Sequence, residues 1–361
     1  MIDSFSDSFS EARHKFLGAS GSIRARLFTY GRDDLAGKDG EYLACDVAVV
    51  GNEDAPSAAF VISGTHGSEG YCGSAILHRW LVTRDAADIP DGVKIVLVHA
   101  INPWAFSHKT RATENNVDLN RNFWFGDGTS GRENPSYDRL APFLHGSARV
   151  ASEHLGAYEA YKDYLDANGW QIEGESWEGQ GTRQDGIFYT GTAPEWSNVT
   201  FRRIVKEHLA SAARIGFIDW HTGIGRYGEI VPLIFDEGGT DESRAAMSWW
   251  QLARPGNNAF RTGAVPAYEG LLCRSIRQEL PASRIAGAVI EFGTVDDYAI
   301  FRADRLDRWL RFEGRDDPDH DRLRADYMNA CCPEDVAWRR FVLARGPELI
   351  DQMVAGLCAW R

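Results

Sequence analysis

His66 and Glu69 have the spacing and chemistry of a metal-binding pair. They lie three residues apart in residues 63–70, Ser-Gly-Thr-His-Gly-Ser-Glu-Gly. A neutral imidazole and a carboxylate at this spacing can reach one cation, and zinc prefers such ligands in catalytic sites. Other interpretations stay open, because His66 can pack against backbone carbonyls and Glu69 can stabilise the first turn of a helix. The glycine-rich turn also resembles an anion loop, but it lacks the G-x-G-x-x-G order and Glu69 would repel phosphate.

Two further side chains that could bind a metal or transfer a proton each follow an apolar stretch typical of a buried strand. His221 comes directly after residues 215–220, Ile-Gly-Phe-Ile-Asp-Trp, and Glu291 comes directly after residues 286–290, Ala-Gly-Ala-Val-Ile. Together with the first pair, His221 would complete a two-histidine, one-carboxylate site with an open fourth position. Glu291 is then the additional carboxylate that such chemistry needs as a general base.

A polar loop over residues 111–123 supplies the positive charge. Arginine and asparagine beside a metal commonly bind carboxylates, because the guanidinium fork matches carboxylate geometry. Arg111 also offers a fixed positive charge for a developing oxyanion. The alternative is a surface loop in which Asp118 and Arg121 pair with each other.

These residues need a sheet that brings strand ends together. The sequence predicts strands over residues 42–50, 58–63, 93–100, 215–220 and 286–290. It predicts helices over residues 8–17, from near Glu69, within 137–165, over 197–212 with Ser197 as the cap, and in the tail from 295. Strand, helix and strand at this spacing indicate a parallel, doubly wound α/β arrangement, in which ligands bind at the carboxyl ends of strands. The long aromatic stretch 169–198 is expected to line the site, whereas the tail has little that looks chemical.

Composition limits the possible partners and location. The 361-residue chain is 43% hydrophobic and carries a formal charge of −13 without a basic run, which argues against a nucleic-acid or anionic-membrane partner. No stretch approaches the roughly 18 apolar residues of a membrane span, and the start lacks an apolar signal region. Six scattered cysteines without a Cys-x-x-Cys pair indicate reduced thiols, so we expect a cytoplasmic protein. None of these patterns indicates an oligomeric state.

The order of the chemical residues resembles that of the zinc carboxypeptidase (M14) superfamily. The superfamily pattern is His-x-x-Glu, an Arg, Asn-Arg, a distant His and a catalytic Glu on a late strand. The corresponding residues here are His66, Glu69, Arg111, Asn120, Arg121, His221 and Glu291. The phrases Thr-His-Gly-Ser-Glu-Gly at 65–70, Val-Asp-Leu-Asn-Arg-Asn-Phe at 117–123 and Asp-Trp-His-Thr-Gly at 219–223 are most similar to its DUF2817 branch. The resemblance covers the chain up to about residue 300.

The resemblance implies a fold and an architecture. Residues 1–361 would form a single α/β/α domain with a mixed, mostly parallel sheet and the metal at its carboxyl edge. Residues 301–361 would be a C-terminal helical extension packed on that domain.

The resemblance also implies a role for each site residue. His66, Glu69 and His221 would bind one zinc ion per chain, and Glu291 would activate water and later protonate the leaving amine. Arg111 would polarise the scissile carbonyl, and the carboxylate clamp would be formed by Asn120 and Arg121. Tyr268 lies roughly where carboxypeptidases carry a substrate-capping tyrosine, with a buried core tyrosine as the alternative.

The substrate class is left open between two kinds of amide. One candidate is a metallocarboxypeptidase-like enzyme that removes a C-terminal residue from a small peptide or peptide-like substrate. The other is an N-acyl amino acid deacylase of the aspartoacylase or succinylglutamate desuccinylase type, which needs the same metal, base and clamp. A non-catalytic zinc-containing binding protein is a third possibility, and it is disfavoured because all three ligands and Glu291 are present.

Overall fold

The computed structural model describes residues 2–124, 132–146, 149–236, 238–252, 266 and 268–360. Within these ranges the strands are β1 (Arg26–Ala36), β2 (Tyr42–Val50), β3 (Ser57–Ile62), β4 (Val93–His99), β5 (Arg214–Gly223), β6 (Ile230–Leu233) and β7 (Arg284–Gly293). The helices are α1 (Phe9–Ser22), α2 (Gly70–Thr83), α3 (Pro103–Ser107), α4 (Pro135–Leu144), α5 (Ala151–Asn168), α6 (Gln171–Ser176), α7 (Trp196–Leu209), α8 (Asp241–Trp249), α9 (Leu272–Glu279), α10 (Asp297–Phe312), α11 (His320–Cys331) and α12 (Val336–Ala359).

The described strands form one seven-stranded sheet in the order β1-β2-β4-β3-β5-β7-β6. The neighbours β4, β3, β5 and β7 pair in parallel, whereas β1–β2, β2–β4 and β6–β7 pair antiparallel. The predicted α/β fold with a mixed, mostly parallel sheet is confirmed. Since the four parallel strands are adjacent, their carboxyl ends share one edge of the sheet.

The central strand β3 is buried on both faces, which explains its continuous apolar sequence. Ala59 and Val61 point into one hydrophobic core, and Phe60 and Ile62 point into the other. Helices α1, α2, α8 and α12 cover the first face, and α7 and α9 cover the second. The resulting three-layer arrangement positions the carboxyl ends of β3, β5 and β7.

Helix α12 is part of the main core of the molecule. Its residues Ile350, Met353 and Leu357 are completely buried in the first-face core, and the helix packs directly on β3 and β5. The boundary at residue 301, with a helical extension beyond it, stays a prediction.

Differences from the expected elements occur mainly at the edges of the sheet. The strands predicted over residues 42–50, 58–63, 93–100, 215–220 and 286–290 appear as β2, β3, β4, β5 and β7. The two edge strands, β1 and β6, were not predicted. The predicted cap of α7 is wrong, because the helix already includes Trp196 and its N-cap residue is Glu195. Among the described residues, no helix is both long and apolar enough to cross a bilayer.

Candidate metal and substrate site

The loop between β3 and α2 presents His66 and Glu69 through two glycines that cannot easily be replaced. Gly64 has a positive φ of 78°, which glycine adopts without strain. A Cβ on Gly67 would lie 2.0 Å from the carbonyl carbon of Ala105, so only glycine permits this close approach of α3. The loop is thereby pressed against α3, and Glu69 becomes the N-cap residue of α2.

Both imidazoles direct the same ring nitrogen towards Glu69. The Nδ1 atom of His66 lies 2.9 Å from Oε1 of Glu69, and the Nδ1 atom of His221 lies 3.1 Å from Oε2. One ligand atom from each of the three residues falls within 4.8 Å of the others, and all three residues are buried. The loop after β3 and the end of β5 therefore bring the predicted ligand set together.

A buried aspartate fixes the opposite nitrogen of each ring. Asp118 Oδ1 lies 2.9 Å from Nε2 of His66, and Asp219 Oδ2 lies 3.0 Å from Nε2 of His221. Carboxylates of this kind orient metal-binding histidines and select the tautomer. The Nδ1 atom of His66 is buried and forms no hydrogen bond of acceptable geometry with any described residue. An orphaned nitrogen at this position fits a metal ligand.

The electrostatics of the three groups also favour a cation between them. Burial alone would raise the pKa of Glu69, but the adjacent imidazoles of His66 and His221 hold that pKa well below its usual range. Burial alone would lower the pKa of His221, but Asp219 and Glu69 raise it well above the usual value. The carboxylates thus create a field that favours positive charge, whether from protons or from a metal ion.

Glu291 lies beside this group without belonging to it. It is the partner of His221 in the parallel register of β5 and β7, and its Oε2 accepts a hydrogen bond of 3.4 Å from the backbone N–H of Ile224. Burial raises the pKa of Glu291 to about 7, with a further contribution from the negative charge of Glu69. A carboxylate that changes protonation near neutral pH is suited to general acid–base chemistry.

Arg111 is anchored by two of the carboxylates. Its Nε and Nη2 atoms donate to Asp118 Oδ2 at 3.2 and 3.1 Å, and Nη1 donates to Glu69 Oε1 at 3.0 Å. A guanidinium has five N–H groups, and these three hydrogen bonds use three of them. One N–H on Nη1 and one on Nη2 therefore remain for a substrate oxygen. The surface pairing of Asp118 with Arg121, considered above, is wrong: Asp118 is buried and its partners are Arg111 and His66.

Arg121 and Asn120 are also held by backbone groups. Arg121 donates from Nε to the carbonyl of Trp177 at 2.7 Å and from Nη1 to the carbonyl of Asn120 at 3.0 Å. Asn120 Oδ1 accepts a hydrogen bond of 3.0 Å from the N–H of Leu272. These contacts leave N–H groups on both Nη atoms of Arg121, so the geometry still permits two parallel donors to a carboxylate.

Two aromatic rings flank the Arg121 guanidinium. Its central carbon lies 4.4 Å from the ring centroid of Tyr268 and 5.8 Å from that of Phe188, which also lies 5.8 Å from the Arg111 guanidinium carbon. Tyr268 is buried and contributes to the cavity wall, while its proposed capping role stays a prediction. Phe188 has a φ of 58°, an uncommon value for a bulky residue that often marks a functional site.

A cavity of about 1050 Å³ joins these groups. The candidate metal ligands His66, Glu69 and His221 line it together with Glu291 and both arginines. Glu173, Trp177 and Phe188 from the stretch 169–198 line it as well. The tail also contributes Asp304, Tyr327 and Cys331 to the wall. The tail, in which we expected little that looks chemical, therefore forms part of the cavity wall.

Comparison with known proteins identifies the family. The sequence model of a family described as "Protein of unknown function (DUF2817)" matches residues 5–345. The chain belongs to the DUF2817 family. No curated protein matches the sequence.

Solved structures with similar folds share little sequence with this DUF2817 protein. Bovine thrombin-activatable fibrinolysis inhibitor, in complex with tick carboxypeptidase inhibitor, is 11% identical, with 98% of each chain covered and a TM-score of 0.51. Carboxypeptidase A from Helicoverpa armigera is 13% identical over 92% of this chain and 76% of that chain, with a TM-score of 0.46. Succinylglutamate desuccinylase from Chromobacterium violaceum is 16% identical over 86% and 75%, with a TM-score of 0.39. At 11% identity, the match to the bovine protein shows a common fold and no more.

Some groups in the DUF2817 site were missed in the sequence. The role of Asp219 could have been recognised, because it precedes His221 by two residues and strand alternation places both side chains on the same face of β5. Asp118 lies in the polar loop 111–123, but the sequence suggested for it only the alternative of a surface pair with Arg121. Asp304 and Tyr327 carry no local signal, because only the packing of α10 and α11 brings them to the cavity.

Proposed function

We propose that this DUF2817 protein is a zinc-dependent amide hydrolase of the metallocarboxypeptidase type, which removes the C-terminal residue from a small peptide or peptide-like substrate. The observation that supports this proposal best is the convergence of His66 Nδ1 and His221 Nδ1 on Glu69, with an aspartate behind each ring. This is the ligand type and orientation of a catalytic zinc site. Zinc held there would supply Lewis acidity and make water a stronger nucleophile at neutral pH.

The surrounding residues have complementary tasks in this proposal. Glu291 accepts a proton from the attacking water and delivers it to the nitrogen of the leaving amine. Arg111 stabilises the negative charge that develops on the carbonyl oxygen, because its guanidinium is already oriented by Asp118. Arg121 and Asn120 hold the substrate carboxylate and so place the last amide bond at the site.

The carboxylate clamp does not by itself separate peptides from N-acyl amino acids. Hydrolysis of either substrate releases an amino acid whose carboxylate Arg121 and Asn120 could hold. The difference lies on the acyl side of the bond, which is a peptide in one class and a simple acyl group in the other.

The proposal is tested with zinc-loaded protein and short peptides that have a free or an amidated carboxyl terminus. Mass spectrometry should detect release of the last residue from the free acids. Glu291→Gln should retain zinc while turnover falls by roughly 10²–10⁴-fold, the usual contribution of a positioned base. Failure of the wild-type protein to cleave any amide, or near wild-type kcat in Glu291→Gln, would contradict the proposal.

A further inference from the structure

The wall of the cavity away from the sheet is built by helices and is rich in aromatic residues. The ring centroids of Tyr158 and Tyr161 on α5 lie 5.3 and 5.0 Å from that of Phe301 on α10. Asp304 follows Phe301 by three residues, so the two are neighbours on the surface of α10. All four residues line the cavity, and we refer to them together as the aromatic lobe.

The carboxylate of Asp304 is unmatched. No hydrogen bond or ion pair joins it to any residue in the part of the chain that the structure describes, although it is only partly exposed. Neighbouring acids are satisfied: Glu173 Oε1 accepts from the Tyr161 hydroxyl at 2.8 Å, and Asp307 Oδ1 accepts from Thr110 Oγ1 at 2.7 Å. A half-buried carboxylate without a partner is costly, so a cation in the lobe would be stabilised.

The positive charge that acts on Asp304 is already bound to other carboxylates. Arg111 acts on Asp304 through its charge, but its Nε, Nη1 and Nη2 atoms donate to Glu69 and Asp118. The acidic residues that line the cavity are Glu69, Glu173, Glu229, Glu291, Asp296, Asp297 and Asp304, and the basic ones are Arg111, Arg121 and Arg226. Acidic side chains therefore outnumber arginines among the residues that line the cavity by seven to three.

We propose that the aromatic lobe binds a primary ammonium group of the substrate, with Asp304 as its counter-charge. A cation over a ring face is attracted by the ring quadrupole, and two rings of the lobe already have a protein cation nearby: Lys162 Nζ lies 6.0 Å from the Tyr158 centroid, and the Arg305 guanidinium carbon lies 5.5 Å from that of Phe301. The counter-charge for the substrate ammonium is therefore Asp304, and the rings form the apolar wall beside it. This inference rests on the proposed function and specifies its substrate class: short peptides that carry a free amino group on the acyl side of the cleaved bond.

The position of the aromatic lobe indicates that the ammonium group belongs to the acyl side of the cleaved bond. Asp307, three residues after Asp304 on α10, accepts a hydrogen bond of 3.0 Å from the backbone N–H of Arg111, so this part of α10 lies on the Arg111 side of the site. The carboxylate clamp lies towards Tyr268, where Arg121 stacks. A substrate that has its carboxylate on Arg121 and its scissile carbonyl beside Arg111 directs its acyl part to the aromatic lobe. An acyl group ending in a carboxylate, such as succinyl, would be repelled there.

Three matched substrates test the assignment: alanylphenylalanine, its N-acetyl derivative and N-succinylphenylalanine. For zinc-loaded wild-type protein, we expect kcat/KM to be highest for the free dipeptide, by about tenfold over the acetylated one, as a charge-assisted hydrogen bond predicts. Asp304→Asn should lose most of that preference through a higher KM, with the acetylated substrate changed by less than about twofold. Asp326→Asn, the same change at an exposed position of α11, should keep the preference.

A binding measurement separates this inference from the proposed function. Calorimetric titration of metal-free protein with butylamine should show binding to the wild type that is weakened about tenfold in Asp304→Asn. If no amide is cleaved, the proposed function fails. This titration alone then decides whether the aromatic lobe binds an ammonium group. Equal butylamine binding by both proteins, equal cleavage of free and acetylated substrates by the wild type, or equal losses on both in Asp304→Asn would overturn the inference.

Discussion

Asp219 connects the two segments that carry His66 and His221. One of its carboxylate oxygens lies 3.0 Å from Nε2 of His221, and the other accepts a hydrogen bond of 2.8 Å from Thr65 Oγ1. The residue thereby links the end of β5 to the loop that presents His66. It is completely buried, so no solvent competes for either contact.

Neutralising this carboxylate should weaken metal binding. In Asp219→Asn the amide no longer enforces the tautomer that directs Nδ1 of His221 to the site, so zinc affinity should fall by roughly 10- to 100-fold. Competition with a chromophoric chelator measures the affinity directly. Asp54→Asn, at an exposed loop position, serves as the control, and equal affinities in the two variants would show that Asp219 has no orienting role.

Loss of one ligand should abolish stable metal binding altogether. We expect purified wild-type protein to contain about one zinc ion per chain, and added zinc to raise its melting temperature, because a ligand that binds only the folded state stabilises it. His66→Ala should show neither effect, whereas His14→Ala, which changes an exposed histidine on α1, should show both. Full zinc occupancy in His66→Ala by elemental analysis would remove His66 from the ligand set.

The raised pKa of Glu291 predicts a pH dependence of stability in the metal-free protein. Burial raises this pKa from its ordinary 4.5 to about 7, so the folded state binds the proton more tightly than the unfolded state does. The stability that this proton contributes is present at pH 4 and is lost as the pH rises to about 7.

Glu291→Gln imitates the protonated side chain and should remove this loss. The free energy of unfolding of the metal-free variant minus that of the metal-free wild type should be larger at pH 8 than at pH 5. The increase should be on the order of 2 to 3 kcal/mol. Urea unfolding in the presence of a chelator measures both differences. An identical difference at the two pH values would mean that Glu291 titrates normally in the folded protein.

The two arginines should fail in different ways. Arg121→Ala should raise KM by roughly 10- to 100-fold for peptides with a free carboxylate and change it far less for their amides, because the guanidinium binds the carboxylate in the ground state. Arg111→Ala should lower kcat on both kinds, because its charge is needed in the transition state. Kinetics on a matched acid and amide decide the matter, and equal losses on both in Arg121→Ala would exclude the clamp.

The central strands could be predicted because burial leaves a clear mark on sequence. Strands β3, β4, β5 and β7 are buried on both faces and are correspondingly continuous in apolar residues. The edge strands lack this mark. Strand β1 is largely exposed and rich in charged residues, and the four-residue β6 contains Pro232, which sheets tolerate at an edge.

Some residues of the candidate site could likewise be predicted from the sequence, and others could not. His66, Glu69, His221 and Glu291 could be singled out because each follows an apolar strand within a few residues. Asp304 could not be singled out, because the polar residues beside this part of α10 come from a segment almost 200 residues earlier in the chain. The hydrogen bond from Thr110 to Asp307, three residues after Asp304, illustrates this. No local pattern records a contact of that range.

The packing of α12 on the central strands has a consequence for biosynthesis. This helix follows all seven described strands in the chain, yet it covers one face of β3 and β5. While the chain emerges from the ribosome, the part of the first face that α12 covers therefore stays bare until α12 has left the exit tunnel. Completion of the first-face core thus waits for the synthesis of α12, and a nascent chain stalled before α12 offers an apolar surface that chaperones recognise.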